Sequence, residues 1–217
     1  MVTSSPRSDN RELIIRAAER LFAERGIDGV SLREINRAAG QRNASALQYH
    51  FDGRDGLVRA VIEKHRADTE PRRHALLDRY EAEGRHDLHS LAAALVLPLA
   101  AKLSDADGGR EYLQINCEVF TRTAPVVELI PKKERNSSIR RWHQLANHAL
   151  PEEESVLHSR FPALRFAFVE LARRAAAPRR RDDRLFANHL TDLVAALLAA
   201  RPSDATMRLF DERSSRR

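Results

Sequence analysis

Apolar side chains recur at helical spacing along most of the chain, and polar breaks divide them into blocks. In residues 9–25, Leu13, Ala17 and Leu21 form one row and Ile14, Ala18 and Phe22 the next. That spacing predicts an amphipathic helix, capped by Ser8 or Asp9 and ended by Gly26. Ser31 followed three residues later by Glu34 is a capping box, so a short helix is expected to about Ala39, with Gly40 in the left-handed conformation that stops it. Asn43 is a good N-cap for the next helix, in which Ala44, Leu47 and Phe51 point one way and Ser45, Ala46, Gln48 and Tyr49 the other. Asp52-Gly53 makes a turn. A long, charged helix then starts near Arg54, buries Leu57, Val58, Val61 and Ile62, tolerates Pro71 as a kink, and closes at Gly84.

Residues 87–103 carry Leu91, Leu95, Leu99 and Leu103 at four-residue steps, with Pro98 as a second kink. A loop (104–109) precedes a helix with Tyr112, Ile115, Val119 and Phe120 on one side and Asn116 beside them. Residues 124–131 hold two prolines and read as irregular. The next helix turns Ile139, Trp142, Leu145 and Ala146 inward and ends at Pro151. Two longer helices follow. One spans about 152–177, broken near Pro162, with Leu164, Phe168, Leu171 and Ala172 in a row. The other follows a charged break, with Asp182 or Asp183 as its cap, and carries Leu190, Leu193, Val194 and Leu197. Its apolar surface is nearly continuous, which predicts burial on more than one side. Ala195, Ala196, Ala199 and Ala200 suit close approach of another helix, either a second subunit or the chain's own core. Residues 211–217 read as a disordered basic tail. The fold class is all-α.

Composition narrows the function. The chain has 217 residues, a formal net charge of +6 and a pI near 10.1, which suits a polyanionic partner. Its one cysteine, Cys117, excludes an internal disulfide and a Cys-based zinc site. Nothing approaches the roughly 18 apolar residues of a membrane span, and the N-terminus lacks an apolar signal core, so a cytoplasmic protein is expected. No Gly-rich phosphate loop, nucleophile elbow or H-E-x-x-H occurs, so neither an enzyme nor a cofactor is expected. His86 with His89, and His143 with Asn147, share helix faces but read as surface or satisfied groups, so no metal is expected.

The outward face of residues 45–49 can lie in a major groove; a polar-faced hairpin with no ligand is the plain alternative. Several residues then add a resemblance. Phe22 and Gly26, Ser31 and Ile35, Ala39-Gly40, Leu47, Tyr49-His50-Phe51 and Arg54-Asp55-Gly56-Leu57 look like the DNA-binding signature of TetR-type transcriptional regulators. The likeness covers about residues 10–62. Two departures stand out: the turn Gln41-Arg42-Asn43 is one residue longer than the commonest pattern, and Gln48 stands where the family often has Tyr.

The resemblance implies a DNA-binding headpiece at 1–53 and an effector-binding, dimerising body at 54–217, joined by the long helix. It implies a repressor that binds a double-stranded operator as a homodimer and is released by a small apolar effector. Ser45, Gln48 and Tyr49 are the base- or backbone-contacting candidates. Ser31, Arg33, Asn43, His50 and Arg54 are the phosphate candidates, and Arg7, Arg11 and Arg16 can add phosphate contacts as a group. Leu95, Leu99, Tyr112, Asn116, Phe120, Trp142 and His143 are guesses for a ligand pocket, with core packing the alternative for each. Phe168, Leu190, Leu193, Val194 and Leu197 are guesses for the subunit interface. A DNA-coating protein without sequence preference, and a helical enzyme or metabolite-binding protein with a vestigial headpiece, are the other classes considered.

Overall fold

A computed structural model of the chain describes residues 6–41, 46–84, 87–122, 136–150 and 161–214. Ten α-helices and one 3-10 turn, with no strand, occur among the described residues. The helices are α1 (Pro6–Arg25), α2 (Leu32–Ala38), α3 (Ala46–Phe51), α4 (Gly53–Glu83) and α5 (Leu88–Ala100), which runs into the turn Ala101–Leu103. Then come α6 (Gly109–Thr121), α7 (Ser138–His148), α8 (Phe161–Ala176), α9 (Arg184–Leu198) and α10 (Asp204–Ser214).

The first three helices and the start of α4 enclose Ile14, Ala18, Phe22, Ile35, Phe51, Leu57 and Val58, all buried. Fully burying a side chain such as Phe22 or Ile35 is worth about 1.5–3 kcal/mol relative to exposing it. Helix α1 starts earlier than its sequence suggests. Pro6 opens it, so Ser8 and Asp9 fall inside rather than capping it; proline's missing N–H is one the first turn leaves unpaired anyway.

Helix α4 runs from that core into the rest of the molecule, with Pro71 inside it and Gly84 at its end. Asp87 caps α5, accepting from the His89 and Ser90 amides at 3.0 and 3.1 Å. All four leucines of the α5 stripe, Leu91, Leu95, Leu99 and Leu103, are buried. Helix α7 docks on α4 through charge: Glu70 accepts from the Ser138 amide at 2.7 Å, and the buried Arg73 donates to Ser138 Oγ at 2.9 Å. Helix α6 packs mainly on α8, and α9 on α5.

Helix α9 packs on both α5 and α8 and buries Leu190, Thr191, Val194 and Leu198, while Leu185 is 83% exposed and Leu193 39%. One expectation at the carboxyl end is corrected. Residues 211–214 belong to helix α10 rather than to a tail, because Met207 and Phe210 give that segment a helical apolar row. No helix among the described residues is long and apolar enough to cross a membrane.

Candidate nucleic-acid interface

The helix-turn-helix is built from local chemistry. The Ser31 hydroxyl accepts from the Glu34 amide at 3.3 Å, and Glu34 Oε2 accepts from the Ser31 amide at 2.8 Å, so the capping box closes in both directions. Hydrogen bonds from Ser31 and then Arg25 hold the Glu34 carboxyl down to about 2. After α2, Gly40 has a φ of 69°, a left-handed value that lets the chain turn where a side chain would be strained. Gln41 ties this turn to α1, donating from Nε2 to Asn10 Oδ1 at 3.4 Å.

Helix α3 is held from below by Phe51, and Arg11 places its guanidinium 5.3 Å from the Phe51 ring centre. The α3–α4 corner is tight. Asp52 is left-handed, with a φ of 53°, and a Cβ added at Gly56 would lie 1.4 Å from the Phe51 carbonyl oxygen. That glycine therefore allows the first turn of α4 to pass directly over the end of α3.

The expected DNA residues divide into three groups. Tyr49 is 76% exposed and half-buried His50 stands edge-on to it, ring centres 5.2 Å apart, so both lie on the open side of α3. Arg33 is exposed and makes no ion pair with a described residue. Ser31 and Arg54 are engaged within the fold. The Ser31 hydroxyl serves the capping box, and Arg54 Nη1 donates to the Val30 carbonyl at 2.6 Å and to the Ile27 carbonyl. Those carbonyls lie in the α1–α2 connection, outside either helix, which is why a guanidinium is drawn to them. Asn43, Ser45 and the side chain of Gln48 lie outside the described residues, as does the side chain of Arg7. Arg16 is engaged too, with Glu12 at 2.6 Å and Asp107 at 3.4 Å.

The sequence reading missed the seam behind this interface. Glu19, 2% exposed on α1, meets Lys64 Nζ and His65 Nε2 of α4, each at 2.9 Å. His65 stacks on Tyr112 of α6, ring centres 4.5 Å apart. Lys64 continues to Asp107 at 3.1 Å. Farther along α6, Glu118 accepts the Ile27 amide with both carboxylate oxygens at 3.1 Å. Arg122 bridges Glu118 at 2.7 Å and Asp28 at 2.8 Å. Charge-assisted hydrogen bonds of this length are directional, so the position of α6 and the position of the α1–α2 connection are coupled. One signal was present in the sequence: Glu19 falls four residues after Ile15 and three before Phe22, a carboxylate on an apolar face.

The other site guesses are placed differently. Leu95, Leu99, Tyr112, Asn116 and Trp142 are buried and packed, and Phe120 stacks on Phe168 with ring centres 5.2 Å apart. The Trp142 indole donates to the Leu91 carbonyl at 2.8 Å, and His143 lies 3.4 Å from Asn147. Neither of two surface clefts, of about 530 and 510 Å³, is lined by any of these residues. Of the residues expected at a subunit interface, Phe168, Leu190 and Val194 are buried within the chain, Leu190 and Val194 on the helix that packs on α5 and Phe168 against Phe120. Leu193 is exposed, and Leu197 is half-buried against the core. Cys117 is half-buried, and burial pushes its thiol up, which disfavours the reactive thiolate. No cluster of metal-ligating side chains occurs among the described residues.

Comparisons with known proteins agree with the helix-turn-helix. Residues 14–61, which run from α1 into α4, match the bacterial regulatory proteins of the tetR family. The chain is similar to the HTH-type transcriptional repressor BepR of Brucella suis biovar 1 (strain 1330), 28% identical over 139 residues. That alignment spans 63% of this chain and 64% of the relative. Among solved structures, an HlyIIR mutant protein aligns with 91% of this chain and 100% of its own, at 20% identity and a TM-score of 0.48. A gamma-butyrolactone receptor (ArpA-like protein) aligns with 87% of this chain and 98% of its own, at 22% identity and a TM-score of 0.48. By its amino-terminal helices, the chain is similar to the tetR family of bacterial regulatory proteins, a likeness carried by residues 14–61.

Proposed function

We propose that the chain is a sequence-reading DNA-binding regulator of transcription, acting as a repressor that a small molecule bound in the helical body releases. The observation that carries this is the open face of α3, with Tyr49 76% exposed, on a helix-turn-helix whose segment matches a family of regulators. The relative's name, a transcriptional repressor, supports the sign of regulation. In this reading residues 1–53 meet DNA, and 54–217 bind the effector and pair two copies. Ser45, Gln48 and Tyr49 face bases, with Arg33, Asn43 and His50 at phosphates. Arg54 supports the headpiece by its carbonyl contacts instead. The exposed outer side of α9, with Leu185 and Leu193, is the surface offered for pairing.

The mechanism is geometric. Two headpieces must enter major grooves about one helical turn apart, roughly 34–36 Å. An effector that binds better to the wrongly spaced arrangement shifts the population away from DNA. The Glu118–Ile27 contact and the Glu19–Lys64–His65 cluster are the links through which such a shift reaches the headpiece.

The test is a salt titration of binding to the DNA upstream of the chain's own gene against a scrambled duplex of equal length, with stoichiometry. The expected result is strong discrimination with two or more chains per duplex. Equal, salt-sensitive affinity for both would favour a protein that coats DNA, which the charge of +6 also suits. No binding at low salt would overturn the reading. Gln48→Ala should lose about 1–3 kcal/mol of discrimination while leaving non-specific binding intact. Arg33→Ala should weaken binding to both duplexes and lower the salt slope by about 1.

A further inference from the structure

A cleft of about 530 Å³ opens between the end of α5, the first turn of α6 and the loop that joins α8 to α9. That volume falls in the range of small-molecule sites. Its floor is hydrocarbon: Leu97, Ala100, Leu103 and Ala187 line it, and the last three are at most 9% exposed. Its rim is cationic, with Arg110, Arg179, Arg180, Arg181 and Arg184.

The two carboxylates in the lining are already committed. Asp183 is held by Arg174, whose Nε lies 2.7 Å away, and Asp182 by Arg184 at 2.7 Å. Arg179, Arg180 and Arg181 are exposed and make no ion pair with a described residue. Arg110 is the unusual member. It is only 6% exposed, yet no carboxylate among the described residues pairs with it. Its Nη2 donates instead to the Ala175 carbonyl at 2.6 Å, the Arg174 carbonyl at 3.1 Å and the Ala177 carbonyl. The end of α8 thus offers this guanidinium the partial negative charge of a helix C-terminus, about half a unit. Burial, then the nearby Arg174 and Arg179, push its pKa down against the pull of Asp183 and Glu111.

We infer that this cleft binds a small amphiphilic carboxylate, its head on the Arg110 and Arg179–Arg181 guanidiniums and its hydrocarbon body on the Leu97–Leu103–Ala187 floor. A planar guanidinium pairs side-on with a carboxylate, and an apolar floor beside it adds affinity for a ligand with a hydrocarbon body that a bare inorganic anion lacks. The binding itself does not rest on the regulator reading, because it is measured without DNA. If both hold, the ligand touches the first turn of α6, the helix whose Glu118 and Arg122 grip the headpiece.

The experiment is calorimetric titration of the full chain with sodium octanoate below its micellar range, beside 1-octanol and inorganic phosphate. Saturable octanoate binding is expected, with octanol and phosphate each at least about tenfold weaker, the loss of a charged hydrogen bond or of the apolar contact. Arg179→Glu combined with Arg181→Glu should weaken octanoate at least about tenfold, with an unchanged thermal midpoint since both side chains are exposed. Ala101→Phe, which fills the floor and keeps every charge, should weaken octanoate and octanol alike. No saturable binding, equal binding of octanol or phosphate, or an unaffected charge-reversed variant overturns the inference. So does binding to vesicles of anionic phospholipid with none to the monomer. Octanoate binding that leaves DNA affinity unchanged would confirm the cleft and remove it from regulation.

Discussion

The hydrogen bonds that shape the amino-terminal headpiece from within lie close along the chain; those that close the body, and the seam at Glu19 and Glu118 that joins the two, do not. Ser31 and Glu34 cap each other across three residues, and Arg54 reaches back 24 to Val30. In the body, the Trp142 indole reaches 51 residues to Leu91, and Arg110 reaches 65 to Ala175. Helix α9 closes over α5, about a hundred residues earlier, as the His89–Asp192 contact at a separation of 103 shows. Short-range partners are ordered as soon as a helix forms, whereas long-range ones need the whole body assembled. The headpiece should therefore weaken by degrees when single groups are removed, and the body should fail as a unit.

The largest effect that would test this contrast comes from the body. Trp142→Ala removes a side chain 1% exposed and its hydrogen bond to Leu91, and should cost about 3–5 kcal/mol in urea unfolding. A small loss, with unfolding split into two steps, would break the idea that the body is one unit. Next is the seam. Glu118→Ala leaves the Ile27 amide without its acceptor and Arg122 without one of its carboxylates. A loss of about 1.5–3 kcal/mol is expected, with faster amide exchange at Ile27 than in α5. Unchanged exchange at Ile27 would mean the headpiece does not depend on α6.

Smaller again is the capping box. Ser31→Ala should cost about 1 kcal/mol, confined to α2. It also carries a pH signature. The Glu34 carboxyl sits at about 2 in the folded chain against an ordinary 4.5. A lowered folded pKa means the contribution is present above pH 4.5 and disappears as pH falls through about 2. Thermal midpoints between these limits should fall less steeply for Ser31→Ala than for the parent. The smallest effect near neutrality is Tyr112→Phe. Burial pushes the Tyr112 hydroxyl up to about 12 from 10.0, so its folded pKa is raised. Stability should be whole below pH 10.0 and decline as pH rises through about 12, and the Phe variant should lack that decline.

The legibility of the sequence follows the same division. The α2 capping box, the Gly40 stop and the α5 leucine stripe are all found where spacing places them, because each depends on neighbours within one or two turns. The Pro6 start of α1 and helix α10 were missed, since proline's place in a first turn and a weak apolar row give little periodic signal. The place of Leu190 and Val194, expected at a subunit interface and buried within the chain, was not legible for a different reason. An apolar row says that a face is covered, and it does not say by what; α5 covers this one.

By itself the sequence determined the all-α class and most helix positions, because local hydrogen bonds and periodic burial are written in consecutive residues. Only the tertiary structure decided that Glu19 and Glu118 join the headpiece to α4 and α6, and that Arg54 serves carbonyls of its own chain. The same holds for Arg110, left beside a cleft without a carboxylate. A charge on a helix carries no mark of its partner. Which opposite charge or carbonyl meets it depends on how helices far apart in the chain are packed together.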